Sequence, residues 1–214
     1  MILGTALTNI FAAYISNRKF PQFVCKGTIS ANEKKEILNK VKGLLICNIS
    51  IVTYSTLDNI VISSFIGLTA VAIYSNYITI YKAVNQLVVM IRSAMQASVG
   101  NSVAKESLSK NLYDVYQWQF LFSIIATWCA TCMMCLYQPF MKMWMGKDLL
   151  LPLTDVILIV VWFSIDIVQQ AHFLYITGSG LWNELRYSYI FNTCFNLLLN
   201  FLLGKLIGIT GVLI

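Results

Sequence analysis

The sequence predicts an all-α integral membrane protein, a bundle of about five full transmembrane helices with partial helices at both ends. Three observations predict it. Hydrophobic residues make up 58% of the 214 and charged residues only 11%, with mean hydropathy +0.71, too little polar surface for a water-soluble domain of this size. The apolar residues fall in runs long enough to cross a bilayer, which takes about 20 helical residues. Seven of the fifteen Lys and Arg lie between Arg18 and Lys42, beside a hydrophobic segment, as in a cytoplasmic membrane loop. The net charge of +6 is therefore read as positive charge beside a lipid bilayer, with no nucleic-acid partner.

Residues 1–15 are apolar but too short to span, and they run straight into Ser16-Asn17-Arg18-Lys19. A signal peptide carries its charge before the apolar run. The segment is instead read as the end of a transmembrane helix that begins upstream, so the chain is expected to be truncated. Residues 16–42 form a basic cytoplasmic linker. Within it Ser30-Ala31-Asn32-Glu33 fits a capping box, and EKKEILNKVKGLL places Ile37, Leu38 and Val41 opposite the lysines, as in a short helix lying on a membrane surface.

The transmembrane bundle is placed at 43–207, with spans near 44–66, 69–100, 116–137, 149–175 and 188–206. The first two of these join at a very short turn near Gly67, and both carry polar groups that lipid does not accept. The first holds Asn48, Asp58 and Asn59, and the second Asn76, Lys82, Asn85, Gln86, Arg92 and Gln96. At 100° per residue, Ser75, Thr79, Lys82, Gln86, Ser93 and Gly100 fall close to one line, flanked by Asn85, Arg92 and Gln96. Ile73, Ile80, Val84, Leu87, Ile91 and Met95 fill the other side, while Asn48, Ser55 and Asn59 form a similar line on the preceding span. Counted from the turn, Asp58 and Lys82 sit roughly 15 and 21 Å deep, at 1.5 Å per residue, an offset that an extended lysine covers. An Asp58–Lys82 pair is expected. Arg92, roughly 36 Å from the turn on the same arithmetic, is placed near the inner interface, where snorkelling explains it.

The fourth apolar segment contains Cys129, Cys132 and Cys135. A C-x2-C-x2-C run can begin a cluster site, but a fourth ligand is missing, so these cysteines, with Cys25, Cys47 and Cys194, are read as reduced packing residues. No metal or cofactor is predicted. Gln138-Pro139 is expected to end that helix, and PFMKMWMGKD to form an outer loop. The inner half of the next span carries Asp166, Gln169, Gln170 and the only histidine, His172. Both a proton relay and an inward hydrogen-bonded cluster fit them. After a break at Thr177-Gly178-Ser179-Gly180, LWNELRY crosses the inner side. Asn192, Asn196 and Asn200 then share one face at i, i+4 and i+8, a spacing that glues helices together in membranes. Residues 208–214 are read as the start of another truncated helix. Ten Lys and Arg fall on the assigned inner side against three outside, which agrees with the orientation. No phosphate loop, Ser–His–Asp set, H-E-x-x-H or paired carboxylates emerge, so the chain is not read as an enzyme.

Five stretches, LDNIVISSFIGLTAVAIYSNYITI (57–80), ASVGNSVA (97–104), PFMKMWMG (139–146), GSGLWNELRYSY (178–189) and GITGV (208–212), resemble the polysaccharide or O-antigen repeat-unit flippases of the multidrug/oligosaccharidyl-lipid/polysaccharide exporter superfamily. The resemblance covers most of the chain and implies the second lobe of a two-lobe, MATE-like transporter whose N-terminal lobe is missing. It implies movement of an undecaprenyl-pyrophosphate-linked oligosaccharide across a bacterial inner membrane, for O-antigen or capsule biosynthesis. The substrate-cavity candidates are then Asp58, Asn59, Lys82, Asn85, Gln86, Arg92 and Gln96, with Asp166, Gln170 and His172 behind them. On that reading Lys82 meets the anionic headgroup or glycan and Asp58 balances it; the alternative is a structural ion pair. A multidrug or cation antiporter of the same superfamily, which needs an acidic cavity, and a non-transporting membrane fragment are the competing functions.

Overall fold

The computed structural model describes residues 2–21 and 29–213, without the side chains of Ile2, Leu3 and Ser55; the expectations for Cys25, Lys26 and the Ser55 side chain lie outside the described residues. The described chain is helical, in the order α1 (Ile2–Lys19), α2 (Ala31–Phe65), α3 (Leu68–Lys105), α4 (Leu108–Met145), a 3-10 turn (Lys147–Leu149), α5 (Leu153–Ser179), α6 (Trp182–Ile207) and α7 (Ile209–Leu213). It divides into two compact units, Met1–Leu38 and Asn39–Ile214.

In the first unit α1 continues through the Ser16–Lys19 stretch and ends on Arg18 and Lys19, where cations suit the negative end of the helix. The capping box forms as the spacing requires. The Ser30 N–H donates to Glu33 Oε2 at 2.9 Å and the Glu33 N–H donates to Ser30 Oγ at 3.3 Å. The bond from the Ser30 backbone holds the Glu33 carboxyl below the ordinary carboxylate range. Beyond this cap the structure departs from expectation. The surface helix and the next span are one 35-residue helix, α2, about 52 Å long at 1.5 Å per residue against a hydrocarbon core of about 30 Å. Nothing between Lys42 and Leu44 breaks it, because Gly43 keeps helical geometry.

The second unit packs around α5. Its buried stripe of Val156, Ile159, Val160, Phe163, Ile167 and Ala171 meets Tyr77, Tyr81 and Val88 of α3 and Phe122, Ala126, Met133, Tyr137 and Met141 of α4. A smaller cluster joins Val61 and Ile62 of α2, Tyr74 and Ile78 of α3, and Val212 of α7. Among the described residues four helices are long and apolar enough to cross a membrane: α2, α4, α5 and α6. The fifth expected span, α3, is long enough at 38 residues but not among them, because its polar line and two internal cations dilute its apolar side.

The connections are shorter than expected. α2 turns into α3 at Gly67, whose φ of +118° suits a residue without a Cβ. The stretch left between the spans expected near 69–100 and 116–137 shrinks to two residues between α3 and α4. Ser107 caps α4 by accepting from Lys110 N–H. The buried amide of Asn111 ties the turn by donating to Ser107 O at 3.2 Å and Ser102 O at 3.4 Å. α4 does not end at Gln138-Pro139 but runs through Pro139 to Met145. A proline costs a helical hydrogen bond, and tertiary bonds hold the helix across it. Tyr137 Oη donates to the Tyr77 carbonyl, Tyr77 Oη donates to Gln138 Oε1 at 3.1 Å, and Gln138 Nε2 donates to Leu151 O at 2.7 Å. LWNELRY is likewise not a crossing loop, since all but its first residue belongs to α6.

Helices α2 and α6 meet backbone to backbone. A Cβ placed on Gly43 would stand 2.7 Å from Asn183 Cα and 2.9 Å from its nitrogen. Gly43→Ala is therefore expected to destabilise the bundle by about 1–3 kcal/mol, the usual cost of overpacking. Gly100→Ala, where a Cβ meets nothing within 4 Å, should be neutral or slightly stabilising. Thermal unfolding of both variants in detergent, read by far-ultraviolet circular dichroism, checks the contrast.

Candidate functional site

The site is built by one face of α3. Tyr74, Tyr77 and Tyr81 repeat at i, i+3 and i+7, all are buried, and each turns its hydroxyl to a polar partner. Buried phenols are expected to find such partners. Tyr74 Oη donates to Asp58 Oδ2 at 2.9 Å, and Tyr81 Oη donates to Asp166 Oδ2 at 2.7 Å. Tyr77 serves the α4 clamp described above. Two carboxylates, one on α2 and one on α5, are thus fastened to the same helix two turns apart.

Each carboxylate has a second, amide partner. Asn200 of α6, 2% exposed, donates to Asp58 Oδ1 at 2.9 Å and to Asn196 Oδ1 at 3.1 Å. Asn200 thus acts as the expected interhelical glue; Asn196 supports it from within α6, and Asn192 is exposed. Asn85 Nδ2 donates to Asp166 Oδ2 at 2.7 Å, and buried Gln170 donates through Nε2 to the Asp166 carbonyl at 3.3 Å. Arg92 lies half-buried with its guanidinium 4.3 Å from the centre of the Phe173 ring. This is a cation–π seat. Among the described residues, Asn85 Oδ1, Arg92 Nε and Gln170 Oε1 are buried without a hydrogen-bond partner.

The Asp58–Lys82 pair expected from depth does not form. Both oxygens of Asp58 are engaged by neutral donors, and among the described residues no ion pair joins Lys82 to it. The two residues instead share the walls of a cavity of about 160 Å³, with Asn59, Tyr54, Tyr74 and Trp162. A neighbouring cavity of about 280 Å³ shares Tyr54, Asp58, Tyr74 and Trp162 and extends to Asn196 and the α7 residues Val212 and Leu213. The rest of the predicted polar line faces outward: Lys82 and Gln86 are exposed, and Gln96 is half-buried. His172 is exposed beside Asp166, Gln169 and Gln170 in a separate cavity of about 270 Å³. No hydrogen bond links that histidine to Asp166 among the described residues, so the two form no relay as they stand.

Several participants lie outside the residues that the sequence pattern singles out. Tyr74 and Tyr81 count as apolar in a hydropathy pattern, yet their i, i+7 spacing opposite two span-embedded acids is a usable signal. Trp162 stacks on Tyr81, ring centres 4.5 Å apart and 8° from parallel, and carries no sequence signal. Asp155 is 2% exposed and accepts from Thr210 Oγ1 at 2.6 Å, tying α7 to α5. Of the five described cysteines all are free thiols; only Cys47 is buried, while Cys132, Cys135 and Cys194 are exposed on the helix surfaces. Those three are therefore not the core packing residues expected. Among the described residues no three His, Cys, Asp or Glu side chains come together to hold a metal. No family model, no curated protein and no solved structure matches the chain.

Removing Asn200 strips the half-buried Asp58 of one of its two donors, which costs up to about 1–3 kcal/mol, the range for a fully buried unsatisfied group. Asn200→Ala should lower the thermal midpoint of the detergent-solubilised protein by several degrees. Asn192→Ala, on the same helix but exposed, should leave it unchanged.

Proposed function

We propose that the chain is part of a membrane transporter, a flippase that moves lipid-linked oligosaccharide repeat units across the bacterial cytoplasmic membrane for polysaccharide biosynthesis. The observation that carries this reading is Lys82, an exposed cation on the polar line of α3, beside a cavity that also holds Asp58 but bound to neither acid. A lysine at the centre of a lipid-facing helix costs about 2.5–3.5 kcal/mol on insertion scales. Such a residue persists where it lines water or meets an anion. A pyrophosphate-linked glycan supplies that anion, and the motif resemblance points to the same cargo. The exposed polar line, with Thr79, Lys82, Gln86 and Ser93, then faces a companion lobe across a wet passage, because rocking of two repeats about a central site is how such transporters alternate access.

The cation-antiporter reading is favoured by a different observation. Asp58 and Asp166 both sit on tyrosine hydroxyls without a cationic side chain at ion-pair distance among the described residues, as acid groups awaiting a proton or metal ion would. Substrate charge separates the two readings. A flippase needs Lys82 positive, whereas an antiporter needs the acids.

Lys82→Ala and Lys82→Asp, placed in the intact gene of the producing cell, are expected to abolish surface polysaccharide and to leave lipid-linked repeat units on the inner leaflet; Lys82→Arg should retain most export. Cell-surface glycan and extracted lipid-linked intermediates are measured at matched protein levels. Normal export from both the Ala and Asp variants contradicts the proposal, and dye efflux lost only in Asp58→Asn or Asp166→Asn favours the antiporter.

A further inference from the structure

The two cavities around Asp58 have a chemistry more specific than a wet passage. They adjoin through four shared residues, Tyr54, Asp58, Tyr74 and Trp162, and at about 160 and 280 Å³ they jointly fall in the range of small-ligand pockets, roughly 300–1,000 Å³. Trp162 lines both. One face of its indole is covered by Tyr81 at 4.5 Å, which fixes the ring, and the half-exposed side chain lines both cavities. Around it stand unused hydrogen-bonding groups of both kinds. Asp58 spends one lone pair on Tyr74 and one on Asn200, and a carboxylate has about four acceptor sites. Asn59 accepts through Oδ1 from Ser75 at 3.4 Å and Asn196 accepts through Oδ1 from Asn200; among the described residues neither donates through its amide N–H groups, and Asn59 lines the smaller cavity and Asn196 the larger. Lys82 adds three donors at the rim.

A fixed aromatic plane flanked by a carboxylate, two amides and an ammonium matches a sugar ring. The C–H face of a pyranose packs on an aromatic face, while its vicinal hydroxyls both donate and accept around the edge. A purely apolar ligand would leave Asp58, Asn59 and Asn196 unpaired at a cost. A small metal ion would use the acid but not the indole.

We propose that this crevice is a sugar-ring subsite. A pyranose stacks on Trp162, its hydroxyls bonded to Asp58, Asn59 and Asn196, with Lys82 at the rim toward the charged part of the same ligand. The subsite rests on the flippase reading for its cargo and adds where the glycan, as distinct from the pyrophosphate, is held.

The test uses the purified full chain in lipid nanodiscs and two separate probes, by equilibrium dialysis. One probe set is methyl glucoside, methyl galactoside and N-acetylglucosamine; the other is farnesyl pyrophosphate. Saturable binding of a sugar is expected, weakened about tenfold or more by Trp162→Ala, the scale set by losing an aromatic contact and its area, and largely kept in Trp162→Phe. The double change Asn59→Ala with Asn196→Ala should weaken it similarly, which keeps the test decisive if Trp162→Ala fails to fold. Farnesyl pyrophosphate binding should survive these changes and fall in Lys82→Ala. Sugar binding that is absent from a protein that holds farnesyl pyrophosphate, or that is indifferent to both Trp162→Ala and the double change, overturns the subsite. Farnesyl pyrophosphate binding indifferent to Lys82→Ala, with sugar binding still dependent on Trp162, supports the subsite and contradicts the lipid-pyrophosphate reading instead.

Discussion

Two of the carboxylates within the bundle, Asp58 and Asp166, dictate much of its architecture. Both side chains are half-buried, and an Asp58 or Asp166 left without partners there would be expensive. The chain meets the demand with phenol and amide donors rather than with lysine or arginine. Because Tyr74 and Tyr81 come from one helix face, α3 is fastened to α2 at one level and to α5 two turns away. Asn200 brings α6 to the first of these junctions and Asn85 strengthens the second. The crossing positions of four helices are therefore tied to where two acids must find donors.

Neutral partners have a consequence for the cations. Lys82 is left without a bond to either acid, on the outward side of α3 beside the Asp58 cavity. Arg92 takes an aromatic seat on Phe173 instead. A salt-bridged Asp58–Lys82 pair would have been self-contained, and breaking it for a ligand would have stranded a charge. As built, the bundle keeps its acids satisfied and its lysine available, as the proposed anionic cargo would require.

Some of this is legible in the sequence. The capping box at Ser30–Glu33, the turn at Gly67 and the Asn196–Asn200 pair are all readable, because each depends on local spacing that a helix fixes. Helix ends are read poorly where tertiary bonds override local signals. Pro139 ought to stop α4, but Tyr77, Gln138 and Leu151 clamp the segment across it; Gly43 ought to loosen α2, but its missing Cβ serves close contact with Asn183. The partners of Asp58 are also misread from sequence. Depth arithmetic matches opposite charges and ignores phenols, since tyrosine scores as apolar while carrying a donor at its tip. Asp155 and Thr210, 55 residues apart, leave no pattern that one sequence could show.

The proposed path for an anion requires α3 to have a watered side, marked by Thr79, Lys82 and Gln86, and a dry side, marked by Leu87 and Ile91. Single cysteines at these five positions, in a background without the native cysteines, can be reacted in native membranes with a small, membrane-impermeant maleimide. Fast labelling at 79, 82 and 86, with slow or no labelling at 87 and 91, is the predicted result. Equal protection of all five positions would mean that lipid or protein covers the polar line, and would contradict a wet face on α3.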